Sequence, residues 1–192
     1  MNITDLYKSQ ITILHGKNGC GKTRILNKLK DHLSVNNVIY FPYNRVMNVD
    51  KDVVDSIDVA FRLNNKHSFR DRIEKVYDIK DDFALEDIFK GSKITCGYIQ
   101  LINFFYTIHT NLSDNKNNIV IIDNIELNLH PLVLRHLIYD IVGIFKVDKL
   151  IISTHSSYLI SSYETLTRIM FYNCSIIDVE NIENDVKMIL NC

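Results

Sequence analysis

The residues with the clearest chemical pattern form an eight-residue glycine-rich stretch, Gly16-Lys17-Asn18-Gly19-Cys20-Gly21-Lys22-Thr23. Its three glycines let the backbone curl so that successive N–H groups point into one concavity, which suits a phosphate. Lys22 supplies a cation for β- and γ-phosphates, and the Thr23 hydroxyl supplies a ligand for Mg²⁺. We therefore predict a P-loop, with these eight residues and the following Arg24 binding the cofactor. The other interpretation is a tight strand-to-helix turn that merely uses glycines.

A second candidate is the carboxylate of Asp123, which follows four β-branched residues at 119–122. Such a run is typical of a strand buried on both faces, and open α/β sheets bind ligands beyond the carboxyl ends of their strands. We interpret this segment as a Walker B motif, in which Asp123 holds Mg²⁺ directly or through water beside Thr23. A strand-end Asp also serves as a helix cap, but one that lies roughly 100 residues after a P-loop favours the metal.

A third candidate is His155, in Thr154-His155-Ser156 immediately after the apolar run 149–153. A histidine at the end of a strand next to the P-loop strand can touch a γ-phosphate or an attacking water, and can sense whether the phosphate is present. The alternative is a histidine that caps a helix or is satisfied within the core.

The elements that must position these residues alternate between strand and helix. Apolar runs predict strands at 11–14, 38–41, 119–123 and 149–153, and helices at 24–33, 98–108 and 131–145. The helix at 98–108 is apolar nearly all round, so we expect it to pack deep against the sheet. The charged segment 43–92 predicts an inserted helical lobe with short helices at 53–63, 69–77 and 85–89. A closing hairpin is predicted at 167–172 and 175–179, and a terminal helix at 182–190. The fold class is therefore α/β, a mostly parallel sheet flanked by helices within a single domain over 1–192.

Composition narrows the function classes. A chain of 192 residues suits one well-buried domain, and a net charge of −1 with 23% charged residues gives nucleic-acid binding no support, so any contact with DNA or RNA would have to be local. The four cysteines show neither a paired nor a zinc-type spacing. Residues 1–10 lack a targeting pattern, and no run reaches the roughly 20 apolar residues of a transmembrane segment. We expect a reduced, cytoplasmic protein.

Together the three motifs resemble the ABC-type ATPase head of OLD-like and SMC-related AAA ATPases, a P-loop NTPase family. The resemblance rests on the P-loop, on Ile-Val-Ile-Ile-Asp-Asn-Ile-Glu-Leu-Asn-Leu-His-Pro at 119–131 and on Ile-Ile-Ser-Thr-His-Ser at 151–156. It implies ATP and Mg²⁺ as cofactors and a switch role for His155. It also implies ATP-dependent head-to-tail dimerisation, in which a signature loop at 95–98 covers the partner's ATP, with Thr95 and Gly97 as binding residues and 129–131 along the interface.

The sequence departs from the family pattern at the position after Asp123. The family has Glu there to polarise the attacking water, and this chain has Asn124, an amide that orients water but cannot take its proton. Losing a general base slows hydrolysis by roughly 10²–10⁴-fold. Glu126 matches the family's second Glu and is the candidate substitute, so Asn124, Glu126 and His155 form the predicted catalytic set. The upstream aromatic that stacks on adenine is absent unless Tyr7 serves.

The resemblance implies a minimal head, because 43–92 is too short for a long coiled coil and no acidic cluster suggests a nuclease. The leading hypothesis is an ATP-binding, dimerising and slowly hydrolysing switch subunit for a separate effector in DNA maintenance or anti-phage defence. The second is the nucleotide-binding subunit of a membrane transporter, against which the Leu-His-Pro sequence and the poor signature argue. The third is a small P-loop kinase, whose arginine-rich lid would have to come from Arg62, Arg70 and Arg72.

Overall fold

A computed structural model of the chain describes residues 9–44, 69, 72, 96–162 and 174–179. The chain divides into two compact units. The first, here called the sheet unit, consists of Met1–Arg45, Leu112–Leu127 and Val147–Cys192. The second, the helical unit, consists of Val46–Asn111 and Asn128–Lys146.

The sheet unit is built on five parallel strands. They are β1 (Ile11–His15), β2 (Asn37–Phe41), β3 (Asn118–Ile122), β4 (Lys149–Thr154) and β5 (Cys174–Asp178), in the order β2-β3-β4-β1-β5. The predicted parallel α/β sheet is confirmed. Because every strand runs the same way, the P-loop after β1 and the candidate residues after β3 and β4 all follow the carboxyl edge of the sheet.

One face of the sheet is covered by helix α1 (Lys22–His32). Its apolar side chains recur at three- and four-residue spacing, as expected of a helix with one buried stripe. They pack with strand residues into one cluster, whose members are Leu14, Ile25, Leu26, Leu29, Leu33, Ile119, Ile121, Ile151 and Val179. This cluster holds the start of α1, and therefore Lys22 and Thr23, against β1, β3 and β4.

The last described strand, β5, lies at the edge of the described sheet and pairs in parallel with β1, with Asp178 opposite His15. The closing hairpin stays a prediction. The other predicted arm, 167–172, and the predicted helix at 182–190 lie outside the described residues. A short helix, α4 (Ser157–Ser161), follows β4, and its N-cap residue Ser156 accepts a hydrogen bond from the Leu159 N–H at 3.3 Å.

The helical unit contains α2 (Cys96–Asn111) and α3 (Pro131–Tyr139), which continues into one π-helical turn (Asp140–Ile144). The sequence predicts a single α-helix to residue 145, and the structure differs because the Phe145 N–H bonds the Asp140 carbonyl five residues back, at 3.2 Å. The Asp140 side chain is fully buried and accepts from the Arg72 guanidinium, with Nε at 3.0 Å. This bidentate ion pair coincides with the start of the π turn.

Aromatic side chains of the helical unit pack against one another. The Phe105 ring lies edge-on to Phe69, with centroids 5.8 Å apart, and stacks on Phe145 at 5.6 Å. Within the predicted lobe at 43–92, the structure describes only residues 43, 44, 69 and 72, so the limits of the lobe remain a prediction. Within the described residues, no helix has both the length and the apolar character needed to span a bilayer.

Candidate functional site

The glycine-rich loop adopts a backbone that requires glycine at two of its positions. Gly19 has φ of +84° and Gly21, the N-cap of α1, has φ of +101°, both in the left-handed region. Among the described residues, no heavy atom lies within 4 Å of a Cβ added at either position. The requirement at both positions is therefore for the backbone conformation.

The Lys22 ammonium lies inside this loop. It donates to the Gly16 carbonyl and, at 2.8 Å, to the Lys17 carbonyl, and it lies 3.6 Å from the Cys20 sulfur. The loop thus wraps around one fixed cation. Four further residues of the predicted binding segment, Lys17, Asn18, Gly19 and Arg24, are exposed.

The structure brings Thr23 and Asp123 into direct contact, as the two nucleotide motifs predict. The Thr23 hydroxyl donates to Asp123 Oδ2 at 2.6 Å across 100 residues of sequence. Asp123 is only 2% exposed, and its N–H donates to the Phe41 carbonyl at the end of β2, at 2.9 Å. The carboxylate is therefore held at the sheet edge, next to the first turn of α1.

Two residues at this site were missed by sequence reasoning. Ser153, buried on β4, donates to Asp123 Oδ1 at 2.5 Å and accepts from the Asn124 N–H at 2.7 Å. Tyr40 on β2 is half-buried, and burial, followed by the Asp123 charge, raises the pKa of its phenol. In the sequence, Ser153 and Tyr40 stand out only as polar residues within otherwise apolar strands. That pattern does not show that both interact with Asp123.

Asn124, Glu126 and His155 form one hydrogen-bonded cluster. Glu126 Oε1 accepts a hydrogen bond from the backbone N–H of His155 at 2.7 Å, and it lies 2.9 Å from Nδ1 of the His155 ring. The Asn124 amide, oriented so that both groups are satisfied, donates to the two Glu126 oxygens at 3.0 and 3.2 Å. The predicted catalytic residues are therefore adjacent, and Glu126 connects the other two.

The cluster defines the hydrogen-bonding state of His155. In the neutral imidazole, a hydrogen on Nδ1 directed at Glu126 leaves the Nε2 lone pair as an acceptor. The His155 side chain is 47% exposed, whereas that of Glu126 is 13% exposed. When His155 is neutral, its Nε2 is thus an accessible acceptor, whereas Glu126 Oε1 already accepts from Asn124 and His155.

The described part of the predicted signature loop lies in the helical unit. Gly97 is in the first turn of α2, and a Cβ added there would come within 2.6 Å of the Asn128 carbonyl oxygen, too close for a real contact. The same Cβ would lie 3.8 Å from the Leu129 side chain, so Gly97 and the start of 129–131 are neighbours. Thr95 and Tyr7 lie outside the described residues.

The oxygen donors at the sheet edge fit Mg²⁺. A hydroxyl and a carboxylate in contact are the hard ligands that Mg²⁺ takes alongside substrate phosphates and water. Among the residues that the structure describes, no three His, Cys, Asp or Glu side chains converge as a metal site of their own. The donor set thus suits an ion that is completed by a phosphate ligand.

Fold and site together define an α/β protein with a P-loop conformation between β1 and α1 and a carboxylate at the end of β3. No family model matches the chain, and no curated protein matches its sequence. Two solved structures show a similar backbone course. The ATP-binding subunit of an ABC transporter is 16% identical, over 88% of this chain and 75% of that one, with a TM-score of 0.48. A nucleotide-free ATP-binding cassette from an ABC transporter is 13% identical, over 88% and 77%, with a TM-score of 0.43.

Proposed function

We propose that this chain is an ATP-binding subunit that hydrolyses ATP slowly and acts by dimerising. The observation that carries the proposal is the contact between Thr23 and Asp123 beside a glycine loop that encloses the Lys22 ammonium. The contact joins the hydroxyl and the carboxylate that a P-loop site needs for its metal. A tight turn that merely used glycines would require neither the enclosed cation nor the buried carboxylate.

Each residue has a definite task in this proposal. Loop N–H groups and the positive end of α1 bind the phosphates, and Lys22 exchanges contacts with the loop carbonyls for the β- and γ-phosphates. Thr23 and Asp123 hold Mg²⁺, which neutralises phosphate charge when bound. Arg24, exposed at the start of α1, would add a further phosphate contact.

Slow hydrolysis follows from the cluster after β3. Asn124 cannot accept a proton, and the Glu126 carboxylate already accepts hydrogen bonds from Asn124 and His155. His155 Nε2 is then the group that orients the attacking water or accepts its proton. An imidazole held by a carboxylate is a usable general base, but the family that the sequence resembles places its base at the position of Asn124, directly after the Asp123 carboxylate, and this chain has an amide there.

The cellular role in this proposal is a switch. ATP binding brings two copies together head to tail, and the dimer engages a separate effector in DNA maintenance or anti-phage defence in the cytoplasm. The support is the order of the three motifs together with the closeness of Gly97 to the 129–131 segment. The effector would be identified by what co-purifies with the untagged protein, and a membrane protein found there would favour the transporter-subunit alternative instead.

The kinase alternative loses one of its three candidate lid arginines. A lid arginine must be available to a phosphate, and the Arg72 guanidinium is bound to the fully buried Asp140 carboxylate. It also lies 5.5 Å from the centre of the Tyr139 ring. Arg72 is therefore committed within the helical unit, which favours the ATPase.

Calorimetric titration with ATP and Mg²⁺ tests the binding proposal. Lys22→Ala removes a charge-assisted contact worth on the order of 1.5–3 kcal/mol, so we expect ATP affinity to fall by about 10- to 100-fold. Lys116→Ala, which removes an exposed cation from a loop of the same unit, is the matched control and should bind like the wild type. Equal affinity in Lys22→Ala and wild type would show that the glycine loop is not the phosphate site.

A further inference from the structure

We infer that Ser153 is the residue that positions the Asp123 carboxylate as a metal ligand. This inference rests on the proposed function and adds to it a residue outside both nucleotide motifs. Ser153 stands at the end of β4, the strand that lies between β1 and β3 in the sheet. Ser153 is fully buried, and its hydroxyl donates to the carboxylate of Asp123, the proposed metal ligand.

The direction of the Ser153 hydroxyl hydrogen follows from its two partners. The Asn124 N–H can only donate, so Ser153 Oγ accepts there, at 2.7 Å. A hydroxyl has one hydrogen, which is then left for Asp123 Oδ1 at 2.5 Å. Oδ1 is thereby engaged on the β4 side, and Oδ2 is the oxygen that meets the Thr23 hydroxyl at 2.6 Å.

Two donors on different oxygens fix the rotation of a carboxylate. With Ser153 on Oδ1 and Thr23 on Oδ2, the plane of the Asp123 carboxylate is set before any ligand arrives. A metal held by Thr23 and Asp123 would lie on the Oδ2 side, and Ser153 would still donate to Oδ1. Residues that hydrogen-bond a metal ligand without touching the metal typically contribute about 10–100-fold to metal affinity.

The same hydroxyl connects the metal ligand to the hydrolytic cluster. Ser153 accepts from the backbone of Asn124, whose side chain donates to Glu126, which in turn accepts from His155. Hydrogen bonds, joined through the covalent bonds of Asn124, therefore link Asp123 and Ser153 to His155. Ser153 acts through these neighbours and is a positioning residue.

The test compares the Kd of a non-hydrolysable ATP analogue in Mg²⁺ and in EDTA. In wild type, Mg²⁺ should strengthen binding. In Ser153→Ala we expect the Kd in EDTA to stay within about twofold and the Kd in Mg²⁺ to rise about 10-fold or more. A role limited to folding would change both values or neither. Thr12→Val is the matched control, because it removes another fully buried hydroxyl from the same sheet, which lies 3.4 Å from the Ser175 hydroxyl rather than against Asp123.

The outcomes separate this inference from the proposed function. A wild type that binds no nucleotide overturns both, and a wild type with a Mg²⁺ effect that Ser153→Ala retains in full overturns the inference alone. A Mg²⁺ effect lost equally in Thr12→Val also overturns it. If Ser153→Ala does not fold, Ser153→Cys keeps the shape and replaces the hydroxyl by a weak S–H donor, and the same loss of the Mg²⁺ effect is expected.

Discussion

Asn124 combines an unusual residue type with an unusual backbone. Its φ of +55° lies in the left-handed region, which Asn visits more readily than most residues because its short amide side chain bonds locally. The family that this sequence resembles has Glu at the matching position, where it polarises water. The backbone and the side chain of Asn124 are thus both committed, the first to a turn and the second to Glu126.

Asn124→Glu should raise steady-state ATPase activity and lower stability. A carboxylate at the tip of β3 restores a general base, an effect of up to roughly 10²–10⁴-fold, while the left-handed conformation costs a non-Gly residue about 1–2 kcal/mol. Phosphate release and thermal unfolding measure the two effects. Asn124→Gly is the control, because it keeps the backbone and supplies no base, so its activity should not rise.

Glu126→Gln should lower whatever activity the wild type shows. The substitution keeps one oxygen for His155 but turns an amide nitrogen toward Asn124, so the imidazole loses its charged partner. A wild type that turns over at the ordinary enzymatic scale of roughly 1–10³ per second, with Glu126→Gln neutral, would contradict the assignment of residues 123–131.

At the scale of single elements, α2 carries a feature that costs stability. Gln100 is 1% exposed, and neither of its amide atoms has a hydrogen-bond partner in the described part of the chain. Gln100→Leu should therefore raise the free energy of unfolding by about 1–3 kcal/mol, and the thermal midpoint by about 2–4 °C per kcal/mol. Calorimetry measures both. Asn103→Leu on the same helix, where the amide oxygen accepts from Thr107 at 3.4 Å, should bring no such gain.

A lowered midpoint in Gln100→Leu would mean that the amide is satisfied in solution. A raised midpoint with lost ATP binding or self-association would instead mark Gln100 as a residue kept for function.

The strands and the glycine-rich loop were predictable from the sequence because both depend on local composition. A run such as Ile-Val-Ile-Ile is enough to predict a buried strand, and a glycine-rich loop followed by Lys-Thr is enough to predict a phosphate ligand. The π turn was not predictable, since it coincides with an ion pair between Arg72 and Asp140, which are 68 residues apart. Ser153 was missed for a similar reason, because its partners follow from the pairing of β3 with β4.

At the scale of the whole molecule, ATP should double the mass of the protein in solution. The proposed dimer needs each copy to complete the phosphate site of the other, so light scattering on a variant slowed in hydrolysis, such as Glu126→Gln, should show the doubling with ATP and not without it. His130→Glu should weaken it, because His130 is exposed within the 129–131 segment. His32→Glu, an exposed histidine at the end of α1, is the control.

Gly97 is a poor test position for the same interface. Any side chain there collides with the Asn128 carbonyl of its own chain, so a loss of dimer would have an internal cause. An unchanged mass with and without ATP, in wild type and in Glu126→Gln, would contradict the head-to-tail dimer.

The turn between α1 and β2 offers a practical attachment point. Val35 in this turn is 83% exposed, and it precedes β2, whereas the P-loop follows β1. Parallel strands of five residues span roughly 16 Å, so the turn and the loop face opposite edges of the same sheet. A peptide tag inserted at Val35 would immobilise the protein on a sensor surface with its glycine-rich loop turned toward the solution.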